Sequence, residues 1–269
     1  MKKKILIFSG THPRHLFVNS ALLKFKDFNC KVVVMKRENL MPVIKKLKNL
    51  NDQKNLIKHF KTREIKEKKY FGNLNFKKVF KNINYHTCHS NTLNSNLTFN
   101  FVKKFNPDFT FIFGVDLIKE PILKLINNKN LNLHLGLSPW YKGSATLFWP
   151  FYFLEPNLSG STFHEINNYI DEGPILHHSV AKLKLGQGIH DVANEIINSS
   201  KKDLIKIFTK FRDGKKFKFY EQKKGGKTFY TRSFKPYHLR VIYNLFNNKI
   251  VDFYLKNKVK KKIKLIKFV

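Results

Sequence analysis

The chain has 269 residues, 42% of them hydrophobic, with 52 Lys or Arg against 18 Asp or Glu and a net charge of +34. Its 27 Phe and 10 Tyr are spread along the whole length, enough to bury the core of one large domain, or of a domain with a small appendage; an intrinsically disordered chain is excluded. Two cysteines, Cys30 and Cys88, rule out a disulfide framework and a four-cysteine zinc site, and fit a reducing compartment.

The charge first suggests a nucleic-acid partner, because Lys and Arg neutralise phosphates. Composition argues otherwise: only 6 of the 52 basic residues are Arg, and 28 Asn accompany the 46 Lys. A Lys, Asn, Ile and Phe surplus is what an A/T-rich coding bias produces, and Arg, the better reader of phosphates, is not enriched.

Ile5 to Phe8 is an apolar run that stops at Ser9-Gly10, which reads as a first strand and not as an export signal. Apolar residues at helical spacing from Leu16 to Phe28 and a second run, Val32 to Met35, complete the strand, helix, strand pattern of a parallel sheet. Val43 to Lys69 reads as a Lys-rich helix. His86, Cys88 and His89 are too crowded for a metal site, and no metal is expected. The pattern resumes with a helix at Leu97 to Phe105, a turn at Pro107-Asp108, a strand at Phe109 to Phe113, a helix at Pro121 to Ile126 and a strand at Leu131 to Leu135. No stretch approaches the roughly 18 to 20 uncharged apolar residues that cross a bilayer, so a cytoplasmic protein without membrane insertion is expected. Residues 206–269 are expected to form a small basic appendage: residues 201–269 carry 22 Lys or Arg and 4 Asp or Glu. In it, Lys216 to Tyr220 and Thr228 to Thr231 around Gly225-Gly226 read as a hairpin, Pro236 to Phe246 as a helix, and Lys256 to Lys267 as a solvated strand or tail.

The chemistry lies in Asn132-Leu133-His134, with Gly160-Ser161-Thr162-Phe163-His164 and Asp171-Glu172-Gly173 downstream. Asn132 and His134 alternate on a strand and project to the same side at its C-terminal end, where open parallel sheets place their ligands. An amide that can hold an oxyanion, an imidazole that can move a proton and a carboxylate that can orient the imidazole suit acyl transfer.

Asn-x-His, Pro139 five residues after the His, Lys142-Gly143, a Gly-x-Thr-x-His strand and Ile170-Asp171-x-Gly173 together resemble the formyltransferases that use 10-formyltetrahydrofolate. That superfamily includes the methionyl-tRNA, glycinamide ribonucleotide and sugar N-formyltransferases. The resemblance covers roughly residues 3 to 205. It implies a Rossmann-like α/β domain with a mostly parallel sheet over residues 1–205, and a catalytic trio of Asn132, His134 and Asp171. It also implies a pterin site at Gly114, Val115, Asp116, Leu117 and Ile118 and at Asn167, Ile170 and Gly173. Where the family commonly reads Ser-Leu-Leu-Pro after the His, this chain has Gly136-Leu137-Ser138-Pro139.

The acceptor amine is read from the first turn. It lacks the Gly-rich phosphate loop of the glycinamide ribonucleotide enzymes, and instead clusters Thr11, His12, Arg14 and His15 where a strand meets a helix. With Lys142 and Gly143 these are the expected acceptor contacts. The deformylases carry an N-terminal regulatory domain, whereas this sequence opens directly on the first strand, so hydrolysis is not expected. The C-terminal stretch from Tyr230 to Arg240 looks more like the short tails of enzymes from surface-polysaccharide pathways than like the β-barrel of methionyl-tRNA formyltransferases. A nucleotide-linked amino sugar is therefore the expected acceptor and methionyl-tRNA the alternative; a silent RNA-binding scaffold is disfavoured by the intact trio. A second copy of the chain is a partner left open.

Overall fold

Ile5 and Ile7 leave the first strand on one side, Leu6 and Phe8 leave it on the other, and all four are fully buried. A strand apolar on both faces belongs in the middle of a sheet covered on both sides. The computed structural model describes residues 1–38, 46–223, 225–257 and 263–269. In it, β1 (Lys3–Gly10) is an interior strand, the third of seven. The elements that follow are α1 (Pro13–Asn19), β2 (Phe28–Met35), α2 (Leu50–Phe71), α3 (Phe76–Val79), β3 (Asn84–Cys88), α4 (Asn96–Phe105), β4 (Phe109–Phe113), α5 (Ile122–Ile126) and β5 (Asn130–His134). Then come β6 (Tyr141–Gly143), α6 (Trp149–Tyr152), β7 (Gly160–His164), β8 (Ile175–Val180), α7 (Ile189–Arg212), β9 (Lys227–Phe229) and α8 (Ile250–Lys256).

The sheet order is β3-β2-β1-β4-β5-β7-β8; the first five strands are parallel, while β7 and β8 run antiparallel to their neighbours. Ile5, Ile7, Phe111 and Leu133 pack beneath Leu204, Ile207 and Phe208 of α7. On the opposite face Leu6, Phe8 and Ile112 pack against Val102 and Phe105 of α4 and Ile122 and Ile126 of α5. This is the Rossmann-like α/β architecture that the sequence led us to expect. The chain proceeds outward from β1 through β2 to β3, then returns to β4 on the other side. The connections after β1 and β4 therefore diverge and leave a crevice at their C-terminal ends.

Several elements differ from the sequence expectation. The helix expected over Leu16 to Phe28 ends at Asn19, whose buried side chain donates to Ser9 Oγ at 2.7 Å. A short 3-10 turn at Leu22–Lys24 then lets Phe28 enter β2 opposite Lys3. The helix expected from Val43 starts at Leu50, capped by the Asn49 side chain, which accepts from the Asp52 N–H at 3.0 Å; Val43 to Lys45 lie outside the described residues.

The expected C-terminal hairpin does not form, because each half finds a partner elsewhere. Tyr220 bridges Ile175, and β9 pairs in parallel with β6. Pro236 to Phe246 is a 3-10 turn at Pro236–His238 followed by a wide π turn at Val241–Leu245. Of the closing run, 258–262 lie outside the described residues, but its end is docked and not solvated: His178 N–H donates to Ile266 O at 2.8 Å and Phe268 N–H to His177 Nδ1 at 3.0 Å. β8 is an edge strand, and its open backbone groups recruit this segment. The boundary expected after residue 205 falls inside α7, which continues unbroken to Arg212. Among the described residues no helix is long and apolar enough to cross a membrane.

Burial holds several imidazoles uncharged. Desolvation lowers His12 to about 4, opposed by the Glu38 carbonyl, and His178 to about 4, opposed by the Ser138 carbonyl; His15 and His59 lie well below the ordinary 6.5. The unfolded chain thus binds protons first as pH falls below about 6.5, so stability is complete above that pH and declines through the window down to about 4. The thermal unfolding midpoint should be level from about pH 8 to 7 and already lower at about pH 5.5, above the carboxylate range. A midpoint unchanged down to about pH 5 would contradict this accounting of the buried histidines.

Candidate active site

β5 brings Asn132 and His134 to one side at its C-terminal end. The antiparallel pairing of β5 with β7 sets Asn132 opposite His164, so that the Asn132 amide Nδ2 lies 3.0 Å from His164 Nε2. His164 Nδ1 donates to the Glu165 carbonyl at 2.7 Å. Asp171, from the loop between β7 and β8, reaches both rings: its Oδ2 lies 3.1 Å from His134 Nδ1 and its Oδ1 lies 3.4 Å from His164 Nε2. Gly143 N–H donates to Oδ2 at 2.9 Å.

Asp171 sits at φ 52°, a left-handed conformation uncommon outside glycine. The loop is clamped from the C-terminal segment, where the Gln222 amide donates to the carbonyls of Asp171 at 2.8 Å and Gly173 at 2.7 Å. Gly173 approaches the Glu165 carbonyl so closely that a Cβ would overlap it.

The electrostatics follow from burial and pairing. Desolvation would raise the Asp171 carboxyl, but His134, His164 and the Gly143 N–H hold it well below the usual carboxylate range. His134 is pulled the opposite way: burial lowers its pKa, Asp171 opposes that, His164 adds to it, and the Tyr141 carbonyl, 3.2 Å from Nε2, opposes it again. The result is an ionised carboxylate held against a largely neutral imidazole, a pair suited to relaying a proton.

The trio opens onto a cleft of about 570 Å3 at the C-terminal ends of β1, β2, β4 and β5. Of the residues singled out from sequence, Asn132, His134, Asp171, Gly114, Val115, His12, Arg14, His15 and Gly143 line it. Thr11 does not; its hydroxyl accepts from the Arg37 N–H at 2.9 Å and ties two loops. Lys142 is buried and paired with Glu172 instead of facing the cleft. Asp116 pairs with Arg37 and Ser90; Ile118 is buried, and Leu117 and Ile170 are exposed. Asn167 accepts from the Tyr169 N–H at 2.9 Å. His15 packs against Gly10 and Gly114 and edge-on to Phe113. The departure at Gly136 has a local cause, since a Cβ there would meet His134 Nε2 and the Tyr141 carbonyl. Thr162 then anchors this floor, accepting from Ser138 N–H at 2.9 Å and donating to Gly136 O at 2.7 Å.

Two residues of the site escaped sequence reasoning. His164 was visible in Gly-x-Thr-x-His, but its place beside Asn132 depends on the antiparallel register of β5 and β7. Gln222 lies 51 residues from Asp171 and carries no local signal.

The formyl transferase family model matches residues 28–207, two thirds of the chain. The chain belongs to the formyl transferase family. None of the curated proteins matches this formyl transferase in sequence. Solved structures do. A 4-N formyltransferase from Francisella tularensis is 14% identical over 86% of this chain and 77% of its own, with a TM-score of 0.57. The formyltransferase PseJ from Anoxybacillus kamchatkensis, in complex with UDP-4,6-dideoxy-4-formamido-L-AltNAc and tetrahydrofolate, is 16% identical over 92% and 95%, with a TM-score of 0.52. An N-formyltransferase from Helicobacter canadensis, in complex with folinic acid and dTDP-3-aminofucose, is 17% identical over 98% and 85%, with a TM-score of 0.53. At these identities the likeness is one of fold.

Gly114, which follows β4 at φ 86°, has the His15 ring where a Cβ would stand. Gly114→Ala in this formyl transferase should cost about 1–3 kcal/mol, read from the denaturant midpoint; an unchanged midpoint would show that the turn tolerates a side chain.

Proposed function

We propose that this formyl transferase moves the formyl group of 10-formyltetrahydrofolate to the primary amine of a nucleotide-linked amino sugar. The observation that carries the reading is the convergence of the Asn132 amide, the His134 imidazole and the Asp171 carboxylate on one cleft. Its volume, about 570 Å3, is that of a small-molecule site. Thr231 and Phe234 of the C-terminal segment line it too, so the cleft is bounded on a side the catalytic strands do not reach.

The residues present fit a folate. Gly114 and Val115 line the cleft, Val115 and Ile118 share an apolar cluster with Ile166, and Leu117 and Ile170 are exposed. Backbone polar groups with flanking apolar side chains suit a planar pterin, and the folate supplies an activated formyl carbonyl when bound. Asn132 has two amide N–H groups; one meets His164, and the second is free to donate to the carbonyl oxygen as negative charge develops there. Loss of water around a bound amine favours its neutral form, because desolvation penalises an ammonium. His134 accepts or returns the proton, and Asp171 stabilises its charged form while both are buried. The acceptor class is supported by the sugar nucleotides named in the PseJ and Helicobacter canadensis complexes.

Purified protein, supplied with 10-formyltetrahydrofolate and with dTDP- and UDP-linked 3- and 4-amino sugars or methionyl-tRNA, should formylate a sugar nucleotide. His134→Ala should lower kcat/KM by about 10²–10⁴ and Asn132→Ala by about 10²–10³. Formylation of methionyl-tRNA alone, of none of the acceptors, or full activity in His134→Ala would overturn the reading.

A further inference from the structure

The cleft extends beyond the trio to an end formed by α1, α2 and α7, and this end has unmet hydrogen-bonding capacity. Buried polar atoms in folded proteins are nearly always paired. Of eleven buried side-chain polar atoms without a partner among the described residues, six belong to residues that line this one cleft. Four of the six lie at this end: Arg14 Nε, Glu67 Oε2, His190 Nε2 and Asn194 Nδ2. His190, Asn194 and Glu67 are each more than nine-tenths buried, so bulk water does not satisfy them.

The charge at this end is positive. Arg14 and Arg63 both pair with Glu67, Arg63 Nε at 3.1 Å, leaving two guanidinium groups on one carboxylate. Three of the six arginines in a chain with 46 lysines line the cleft, Arg14, Arg37 and Arg63, and no lysine is among its described lining residues. Where composition so strongly favours lysine, guanidinium groups point to recognition of an oxyanion, phosphate or carboxylate, by paired N–H donors.

His190 adds the second half of the specificity. Its Nε2 is buried without a partner, and in the neutral ring with the proton on Nδ1, toward the His59 backbone, Nε2 is an acceptor. Burial keeps the ring neutral, and the cationic Arg63, Arg14 and Lys66 act in the same direction; the His59 ring lies 4.6 Å away. With Glu67 Oε2 it asks for ligand O–H groups, whereas Arg14 Nε and Asn194 Nδ2 offer N–H groups.

We infer that this end of the cleft holds a glycosyl phosphate, its phosphate oxygens on Arg14, Arg63 and Asn194 and a neighbouring sugar hydroxyl on His190 Nε2. The inference rests on the proposed reading of the acceptor as a nucleotide-linked sugar, and assigns the part of that acceptor remote from the folate. A carboxylate of the folate's glutamyl tail is the competing oxyanion, but it carries no hydroxyl for the two acceptor atoms.

Calorimetric titration with probes that cannot turn over tests this. The probes are dTDP-glucose, which lacks the amine, inorganic pyrophosphate and tetrahydrofolate. Arg63→Lys, which keeps the charge and loses the planar fork, should weaken both dTDP-glucose and pyrophosphate about tenfold or more. His190→Leu should weaken dTDP-glucose about tenfold and leave pyrophosphate within about twofold, and His190→Gln should recover most of the loss. Tetrahydrofolate should bind all variants alike. The inference is overturned if the native protein binds neither phosphate probe, if both variants bind dTDP-glucose as the native protein does, or if tetrahydrofolate affinity falls in parallel, which would place the folate carboxylates here. Unaffected dTDP-glucose binding alongside formylation of an amino-sugar nucleotide removes this inference alone; absent formylation of every sugar nucleotide removes the reading beneath it.

Discussion

One ionised carboxylate organises the site. Asp171 is mostly buried, and burial raises its pKa; two imidazoles and a backbone N–H outweigh that and keep it charged. Each partner comes from a different part of the chain: His134 from β5, His164 from β7, Gly143 from β6. The carboxylate is therefore also a structural joint. Its backbone adopts a left-handed conformation that the surrounding contacts must stabilise, and strain of this kind persists where neighbouring structure over-determines it.

That joint extends to the C-terminal segment, which the sequence presents as a basic appendage. Gln222 holds the loop of Asp171, β9 pairs with the strand that supplies Gly143, and Thr231 and Phe234 line the cleft. Phe268 packs against the main core. These contacts, and not the charge, tie residues after Arg212 to the chemistry. The net +34 thus separates into a lysine-rich exterior and a few arginines in the cleft, where guanidinium geometry matters more than charge.

The central strands were legible in the sequence because both of their faces are buried and they read as unbroken apolar runs. The trio was legible because its spacing is local for Asn132 and His134 and carried by a motif for Asp171. Helix ends were less so: the apolar spacing of Leu16 to Phe28 is shared by a helix, a 3-10 turn and the start of a strand. The expected hairpin went wrong for a physical reason, since Tyr220 and β9 find better edges at Ile175 and β6 than in each other. Thr11 and Lys142 were chosen by position in the chain, but hydrogen bonding turns one toward Arg37 and the other toward Glu172. His164, Gln222, Arg63 and His190 depend on register and long-range packing, which no local pattern records.

The central claim is that Asp171 sets the protonation of His134. It is tested most directly by following the His134 ring through a pH titration by nitrogen-15 NMR, in the native protein and in Asp171→Asn. His134 should titrate below the ordinary 6.5 in the native protein, because burial outweighs the carboxylate, and lower still in the variant, where burial and His164 act unopposed by that charge. The same titration in both proteins would contradict the account.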